Sequence, residues 1–267
     1  MIFPNVAEFD LPALLARYVS DMRRDAFVPG LNKHLLDDVT RYYDTEMRES
    51  IIMWHRFGAS DAAAIVAREL AYFAATPSFT WKVYADDAPD NLSSILLTAG
   101  LKVEADCALM VREVVEVVND AALGRRAANT QLTIRILESR EDIEYLRTVW
   151  QVEHAGQDDP WLAVLADALV VHPTSLKIAV GMADNAPVAA GYIIVDPRGV
   201  FAYLGGGATI PRYRGRGAYA ALTLLRAQLA AAAKVQYLAV EANAQSAPIL
   251  ARLGFRKLTT LRHYVKR

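Results

Sequence analysis

The sequence predicts a mixed α/β (α+β) protein of 267 residues. Three observations predict it. Through the second half, apolar runs of strand length alternate with helical stretches. Two of these runs, LKIAVGMAD and VAAGYIIVD, flank NAP and read as a hairpin. A third, GVFAYLGGGATI, ends in glycines and passes through an arginine–glycine turn into the long helix AYAALTLLRAQLAAAA. Hydrophobic residues make up 54% and charged residues 22% of the chain, so it can bury a sizeable core and is not disordered.

In the first half, ASDAAAIVARELAYFAA is a helix beginning at Ala59-Ser60. FTWKVY, Phe79 to Tyr84, reads as a buried strand before the acidic turn ADDAP, with a role in closing a substrate pocket as the lesser alternative. SSILLTAGLKV, Ser93 to Val103, is a short helix, a glycine stop and a new strand. The strand-like, valine-rich EVVEVV then gives way to a joint rich in Asn, Asp, Gly and Arg. It divides the chain into residues 1–125 and 126–267.

In the second half, LTIRIL is a strand, and SREDIEYLRTVW is a helix opening on Ser139 with acidic residues in its first turn. DDPWLAVLADALVVHP is a second helix, capped by Asp159 with Pro160 at its first position. After the hairpin, the Gly-rich strand and the long helix come the strand QYLAV, the short helix SAPILARLG closed by Gly254, and the strand LTTLRHYVKR. APILARLGFRK matches SSILLTAGLKV at an offset of 154 residues: Ile-Leu, three residues, Gly, an apolar residue. Each follows one strand and precedes another. The first half is therefore either a degenerate copy of the second or an accessory domain.

Composition excludes several function classes. Lys and Arg number 29 against 30 Asp and Glu, so no overall basic field recruits nucleic acid or an anionic membrane. The single cysteine, Cys107, rules out an intramolecular disulfide and a cysteine metal cluster. No apolar run approaches the ~18 residues of a membrane span, and the N-terminus lacks the pattern of a signal peptide. A soluble, cytoplasmic protein without a metal is expected, and a homodimer stays open.

PRYRGRGAYA, Pro211 to Ala220, carries the most chemistry. A strand, a Gly-rich turn and a helix N-terminus make an anion site: free N–H groups point out of the first helical turn and the dipole favours negative charge. Glycines let a phosphate come close, and arginines attract it. The bland reading is a solvated basic turn. No Gly-Lys-Ser/Thr follows, and the third glycine of a dinucleotide fingerprint is missing.

The stretch resembles the pyrophosphate-binding motif of the GNAT superfamily, the acyl-CoA-dependent N-acyltransferases: Arg or Gln, two residues, Gly, one residue, Gly or Ala. Arg212-x-x-Gly215-x-Gly217 matches literally. Arg214-x-x-Gly217-x-Tyr219 matches the distance from Pro211 and from the helix start, and is preferred, although it puts Tyr219 where the family has Gly or Ala. Downstream, VEANAQSAPILARLGF supplies Asn243, Ser246 and Gly254-Phe255 at the family's spacing, with Leu250 in place of its Tyr.

The resemblance covers residues 132 to 267 and implies a mixed, mostly antiparallel central sheet flanked by helices, either once or, if the first half is a copy, in tandem. It implies that Arg214, Gly215, Arg216, Gly217, Ala218 and Tyr219 cradle the diphosphate of acetyl-CoA. Gly207, Ala208 and Thr209 would pair with the pantetheine arm like an added strand, and Asn243 and Ser246 would contact it, unless these two only start a helix.

Acyl transfer needs the amine deprotonated, the carbonyl polarised and the thiolate stabilised. Where the family often has a carboxylate, this chain has Tyr203, a poor base; Glu241 is the nearest acidic candidate. Both are candidate catalytic residues. Cys107 lies in the wrong half to be a nucleophile. His154, Asp158 and Asp159 lie in a segment that in the family shapes the acceptor pocket, and their charge favours a cationic amine. The expected function is direct transfer of an acetyl or short acyl group to a small-molecule or peptide amine. The alternatives are a non-catalytic CoA-binding or sensing protein and, behind it, a protein that binds no ligand.

Overall fold

A computed structural model describes residues 10–153, 159–196 and 198–266. The first half contains α1 (Leu11–Tyr18), a π-helical turn (Val19–Arg24), β1 (Asn32–Leu35), β2 (Val39–Tyr43), β3 (Glu49–His55), α2 (Ala62–Tyr72), β4 (Ser78–Tyr84), α3 (Leu92–Thr98) and β5 (Lys102–Glu113). α4 (Val114–Val118) and α5 (Ala121–Ala128) lead into the second half. That half contains β6 (Thr133–Ile136), α6 (Ile143–Glu153), α7 (Pro160–Val171), β7 (Leu176–Ala183), β8 (Ala186–Val195), β9 (Phe201–Thr209), α8 (Ala218–Ala232), β10 (Tyr237–Ala242), α9 (Ala247–Arg252) and β11 (Arg256–Lys266).

The valine-rich run after β5 is a correction to the sequence reading. It is a helical turn, not strand. Val114 and Val117, three residues apart, are buried together in the core that α8 also enters. The helical period buries both where continued pairing would have sent them to opposite faces. Asp120 then caps α5 by accepting from the N–H groups of Ala122 and Leu123, both at 2.9 Å.

All eleven strands form one sheet, in the order β1-β2-β3-β4-β11-β5-β10-β9-β8-β7-β6. Only β3–β4 and β9–β10 are parallel. The sheet is thus mixed and mostly antiparallel, as expected. The order is close to a palindrome: β4, β3, β2 and β1 run outward from one side of the central pair as β10, β9, β8 and β7 do from the other. The central pair is exchanged, with β11 beside β4 and β5 beside β10.

Register makes the symmetry explicit. Cys107 lies opposite Leu261, 154 residues later. Moving along by that offset converts each β5–β11 pair into another observed pair. Thr260 opposite Ala108 becomes Arg262 opposite Asp106, and Arg256 opposite Val111 becomes Val265 opposite Lys102. The two register shifts fall at Leu258 and across from it at Glu104, again 154 apart. A pseudo-two-fold axis passes between Cys107 and Leu261. The offset in the sequence is the offset of the fold, and each half lends its last strand to the other.

Helices cover both faces. α8 and α9, with α4 and α5, enclose a core containing Ala202, Leu204, Leu238, Val240, Leu250 and Phe255. α6 and α7 bury Ile178, Val180, Tyr192 and Ile194 on the opposite side. Tyr18 of α1 covers the centre of that second face, in a cluster with Tyr84, Cys107, Leu109, Phe201 and Leu261. No helix among the described residues is long and apolar enough to cross a membrane.

Candidate functional site

The arginine–glycine turn begins as a 3-10 turn, Pro211–Tyr213, and Arg214 is extended. Gly215 (φ +75°) and Gly217 (φ +82°) are both left-handed, and Gly217 is the N-cap of α8. A Cβ at Gly217 would lie 2.4 Å from the carbonyl oxygen of Arg126 in α5, whereas a Cβ at Gly215 would meet nothing within 4 Å. Gly217 therefore also lets the inter-half helix pack against the start of α8.

The turn forms one wall of a cavity of about 940 Å³. Arg126, Arg212, Arg216 and Arg252 line it. All four are exposed and make no ion pair among the described residues. Arg212 and Arg216 lie 5.0 and 5.6 Å from the Tyr213 ring centre. The hydroxyl of Thr130, also in the lining, is buried without a hydrogen-bond partner among the described residues. Gly215, Gly217 and Tyr219 complete the near side. Ala218 is buried in the first turn of α8. Arg214 turns away from the cavity, its Nε donating to the carbonyl of Thr209 at 3.0 Å.

β9 and β10 part immediately before the turn. They pair only from Phe201/Tyr237 to Tyr203/Ala239, while β9 continues to Thr209 and β10 to Ala242. On its other side β9 bulges, so Gly206 and Gly207 have no partner on β8. The reason is packing. A Cβ at Gly205 would lie 2.1 Å from the Tyr192 ring, and one at Gly206 would lie 2.4 Å from the Trp150 ring. Trp150 Nε1 donates to the Gly206 carbonyl at 3.0 Å, and Trp161 Nε1 donates to the Tyr192 hydroxyl at 3.2 Å. The Thr209 hydroxyl at the strand end is buried without a hydrogen-bond partner among the described residues. The Tyr219 ring packs against Gly207, 3.3 Å from where a Cβ would sit.

Tyr203 and Glu241 come together below the opening, on the face covered by α1 and α6. Glu241 is almost wholly buried and holds four contacts: two from Lys82 Nζ at 2.7 and 3.0 Å, one from the Tyr84 hydroxyl at 3.0 Å, and His263 Nε2 at 3.0 Å. Burial alone would raise its pKa, but the charge of Lys82 and the hydrogen bond from His263 hold it well below the usual carboxylate range. Burial and the Glu241 charge push Tyr203 and Tyr84 well above a normal phenol. In the register of the pseudo-axis Glu241 and Lys82 are symmetry mates: one is opposite Leu109, the other opposite His263, and those two are 154 apart.

Cys107 lies beside this cluster despite belonging to the first half, because β5 crosses over. Distance in sequence was therefore the wrong ground for dismissing it. Its thiol is nevertheless buried and pushed up to about 11 by that burial, which leaves it unreactive at neutral pH.

The remaining expected residues are dispersed. Asn243 Oδ1 accepts from the N–H groups of Gln245 and Ser246 at 3.0 and 2.9 Å and from the Ser246 hydroxyl at 3.1 Å, so the two build the start of α9. Asn243 lines a second cavity, of about 700 Å³, together with Tyr84, Asp87, Asp90 and Cys107. Leu250 is fully buried in the α8–α9 core. Asp159 caps α7 through the Trp161 N–H, while His154 and Asp158 lie outside the described residues. Sequence reasoning missed Lys82 and His263, which the strand exchange brings in, Arg126, which the inter-half helix brings in, and Arg252 at the end of α9. Lys82 had one signal: a lone charge inside FTWKVY.

The first half shows the same parting of strands, filled by its own side chains. β3 and β4 pair only as far as Ile52 and Trp81. Arg23 occupies the region beyond, its Nε donating to the Met53 carbonyl at 2.8 Å and its other nitrogens binding Asp87 at 2.9 and 2.7 Å. α2 starts at Asp61, a negative charge at the dipole end where an anion would bind.

No protein-family model matches the sequence, and no curated protein matches it. Solved structures do. A GCN5-related N-acetyltransferase from Kribbella flavida superposes with a TM-score of 0.61 at 16% identity, over 96% of this chain and 93% of that one. The fold is that of the GNAT acetyltransferases. A functionally unknown conserved protein from Staphylococcus epidermidis superposes at 0.62 with 11% identity, over 90% of this chain and 95% of that one. A tandem GNAT protein from the clavulanic acid biosynthesis pathway superposes at 0.51 with 12% identity, over 85% of this chain and 78% of that one. The likeness thus spans both halves, and one of these neighbours is itself a tandem GNAT protein. At these identities it speaks for the fold.

Proposed function

We propose that this chain moves an acetyl or other short acyl group from acyl-CoA directly to an amine, on a small molecule or a peptide. The observation that carries the reading is the adjacency of two features. A cavity lined by four arginines, none in an ion pair among the described residues, and by one acidic residue, Asp184, surrounds a helix N-terminus, and beside it two parallel strands part and leave a strand edge unpaired. Coenzyme A needs both: an anion site for its phosphates and an edge for its amide-bearing arm. The unpartnered hydroxyls of Thr130 and Thr209 fit a polar ligand along that path.

In this reading Arg216, Gly215 and Gly217 hold the diphosphate, Arg126 and Arg252 flank the nucleotide, and Gly207 to Thr209 pair with the pantetheine. Glu241 stays ionised at neutral pH, so it orients an acceptor or His263 rather than taking a proton itself. Tyr203 closes the floor. The amine nitrogen bonds to the carbonyl carbon, its proton leaves to water or His263, and the C–S bond breaks to release the CoA thiolate.

A second reading, a CoA-binding or sensing protein without turnover, is favoured by Tyr219 packed on Gly207 and by the buried Leu250. The test is thiol release from acetyl-CoA with a panel of small amines and peptides, alongside calorimetric binding. Turnover with any acceptor supports transfer. Binding without turnover across a broad panel supports sensing.

A further inference from the structure

α8 carries an arginine, Arg226, whose guanidinium is buried between helix and sheet. Nε donates to the Leu222 carbonyl one turn back at 3.0 Å. Nη1 reaches the carbonyls of Tyr192 at 3.2 Å and Gly205 at 3.5 Å. The group lies flat against Gly191, where a Cβ would come within 2.9 Å of Nη1. No carboxylate pairs with it among the described residues. A buried cation with only carbonyl partners is expensive. The corresponding layer of the first half also holds a buried arginine, Arg41, but Glu69 neutralises it through two contacts at 2.6 and 2.8 Å. The uncompensated charge belongs to the half that has the open strand edge.

Its position explains what it does. The peptide between Gly205 and Gly206 is planar and trans, so its C=O and N–H point in opposite directions. The C=O end faces Arg226. The N–H of Gly206 therefore points away from the Arg226 guanidinium. Gly206 has no ladder partner on either neighbouring strand. Trp150 fixes the carbonyl of the adjoining Gly206–Gly207 peptide.

We infer that Arg226 is a positioning residue whose buried charge polarises the Gly205–Gly206 peptide, arming the Gly206 N–H to stabilise negative charge on the oxygen of a bound thioester. The inference rests on the acyl-CoA reading above. As the amine attacks, the carbonyl oxygen gains charge, and it loses that charge again when the C–S bond breaks. A preorganised donor that strengthens as charge develops accelerates this step.

The test uses the full chain and acetyl-CoA labelled with ¹³C at the carbonyl. Calorimetry first establishes that the wild type and Arg226→Met, Arg226→Gln and Arg226→Lys bind it. Infrared difference spectra then read the thioester carbonyl stretch in each complex. The expected result is a lowered stretch in the wild type, retained in Arg226→Lys and returned toward the free-ligand value in Arg226→Met and Arg226→Gln, with similar affinities. Where an acceptor is in hand, the neutral variants lose about 10- to 100-fold in kcat, with KM little changed. If Arg226→Met does not fold, Arg226→Gln, which keeps a donor for the same carbonyls, carries the comparison. A wild-type stretch in a folded neutral variant overturns the inference, as does an unshifted stretch in the wild type. Absence of binding to the wild type overturns the acyl-CoA reading itself.

Discussion

Replacing Lys82 by methionine should cost far more than a surface ion pair allows. Lys82 makes two contacts with Glu241, and the two side chains are 12% and 4% exposed. Removing one partner of a buried pair costs about 3–5 kcal/mol, because the other charge stays buried. The Tyr84 hydroxyl and His263 remain to serve Glu241, so the lower end applies: about 3 kcal/mol, a factor of roughly 150 in the folding equilibrium. Urea unfolding of the wild type, Lys82→Met, Glu241→Leu and the double variant measures the coupling. Each single change should lose about 3 kcal/mol, and the double should lose less than their sum by about 2 kcal/mol or more. Acidity adds a check. The folded pKa of Glu241 lies below its unfolded value of 4.5, so its contribution is present above about pH 4.5 and is lost as pH falls further. Stability of Glu241→Leu should be flatter below that pH. Additive single effects, or a Lys82→Met loss under 1 kcal/mol, would refute the account of the central cluster.

Three further predictions follow from particular contacts. His55 is buried with its pKa pushed down to about 4, so the unfolded state binds more protons between pH 4 and 6.5; wild-type thermal stability should fall by up to about 3 kcal/mol as pH is lowered from 6.5 to 4, and His55→Phe should flatten the fall. Tyr219→Ala frees the strand edge at Gly207 and should tighten acetyl-CoA binding or raise thiol release, measured by calorimetry and thiol assay; weaker binding would instead make the ring part of the ligand site. Leu250→Tyr places a larger, polar side chain in a closed core and should lower stability by about 1–3 kcal/mol with no gain in kcat, read by urea unfolding and thiol release.

What was legible in the sequence was local. The hairpin, the glycines before α8, the Asp159 cap and the Gly254 stop are fixed by turn chemistry and periodicity, which act over a few residues. The 154-residue repeat was visible in one short match, and it proved to be the offset of the pseudo-axis. What stayed hidden depends on pairing between distant strands. Nothing near Glu241 in sequence announces Lys82 or His263; the exchange of β5 and β11 brings them there. Arg126 enters because Gly217 lets α5 pack against α8. The strand-like valines became a helix because burial of Val114 and Val117 outweighed β propensity.

The central claim, an acyl-CoA site at the arginine–glycine turn, is tested most directly by titrating acetyl-CoA into the wild type and Arg216→Glu by calorimetry, at low and high salt. Gly217 is the wrong position to alter, since any side chain there strikes the Arg126 carbonyl and perturbs the fold. Arg216 is exposed, so its charge is reversed without repacking. In water a unit charge about 4 Å from a phosphate contributes about 1 kcal/mol, and reversal doubles the effect, so affinity should fall roughly 30-fold at low salt. Wild-type binding that weakens with salt, with a smaller gap between the proteins at high salt, is the predicted result. No binding to the wild type, or equal affinity in a folded Arg216→Glu, would contradict the claim.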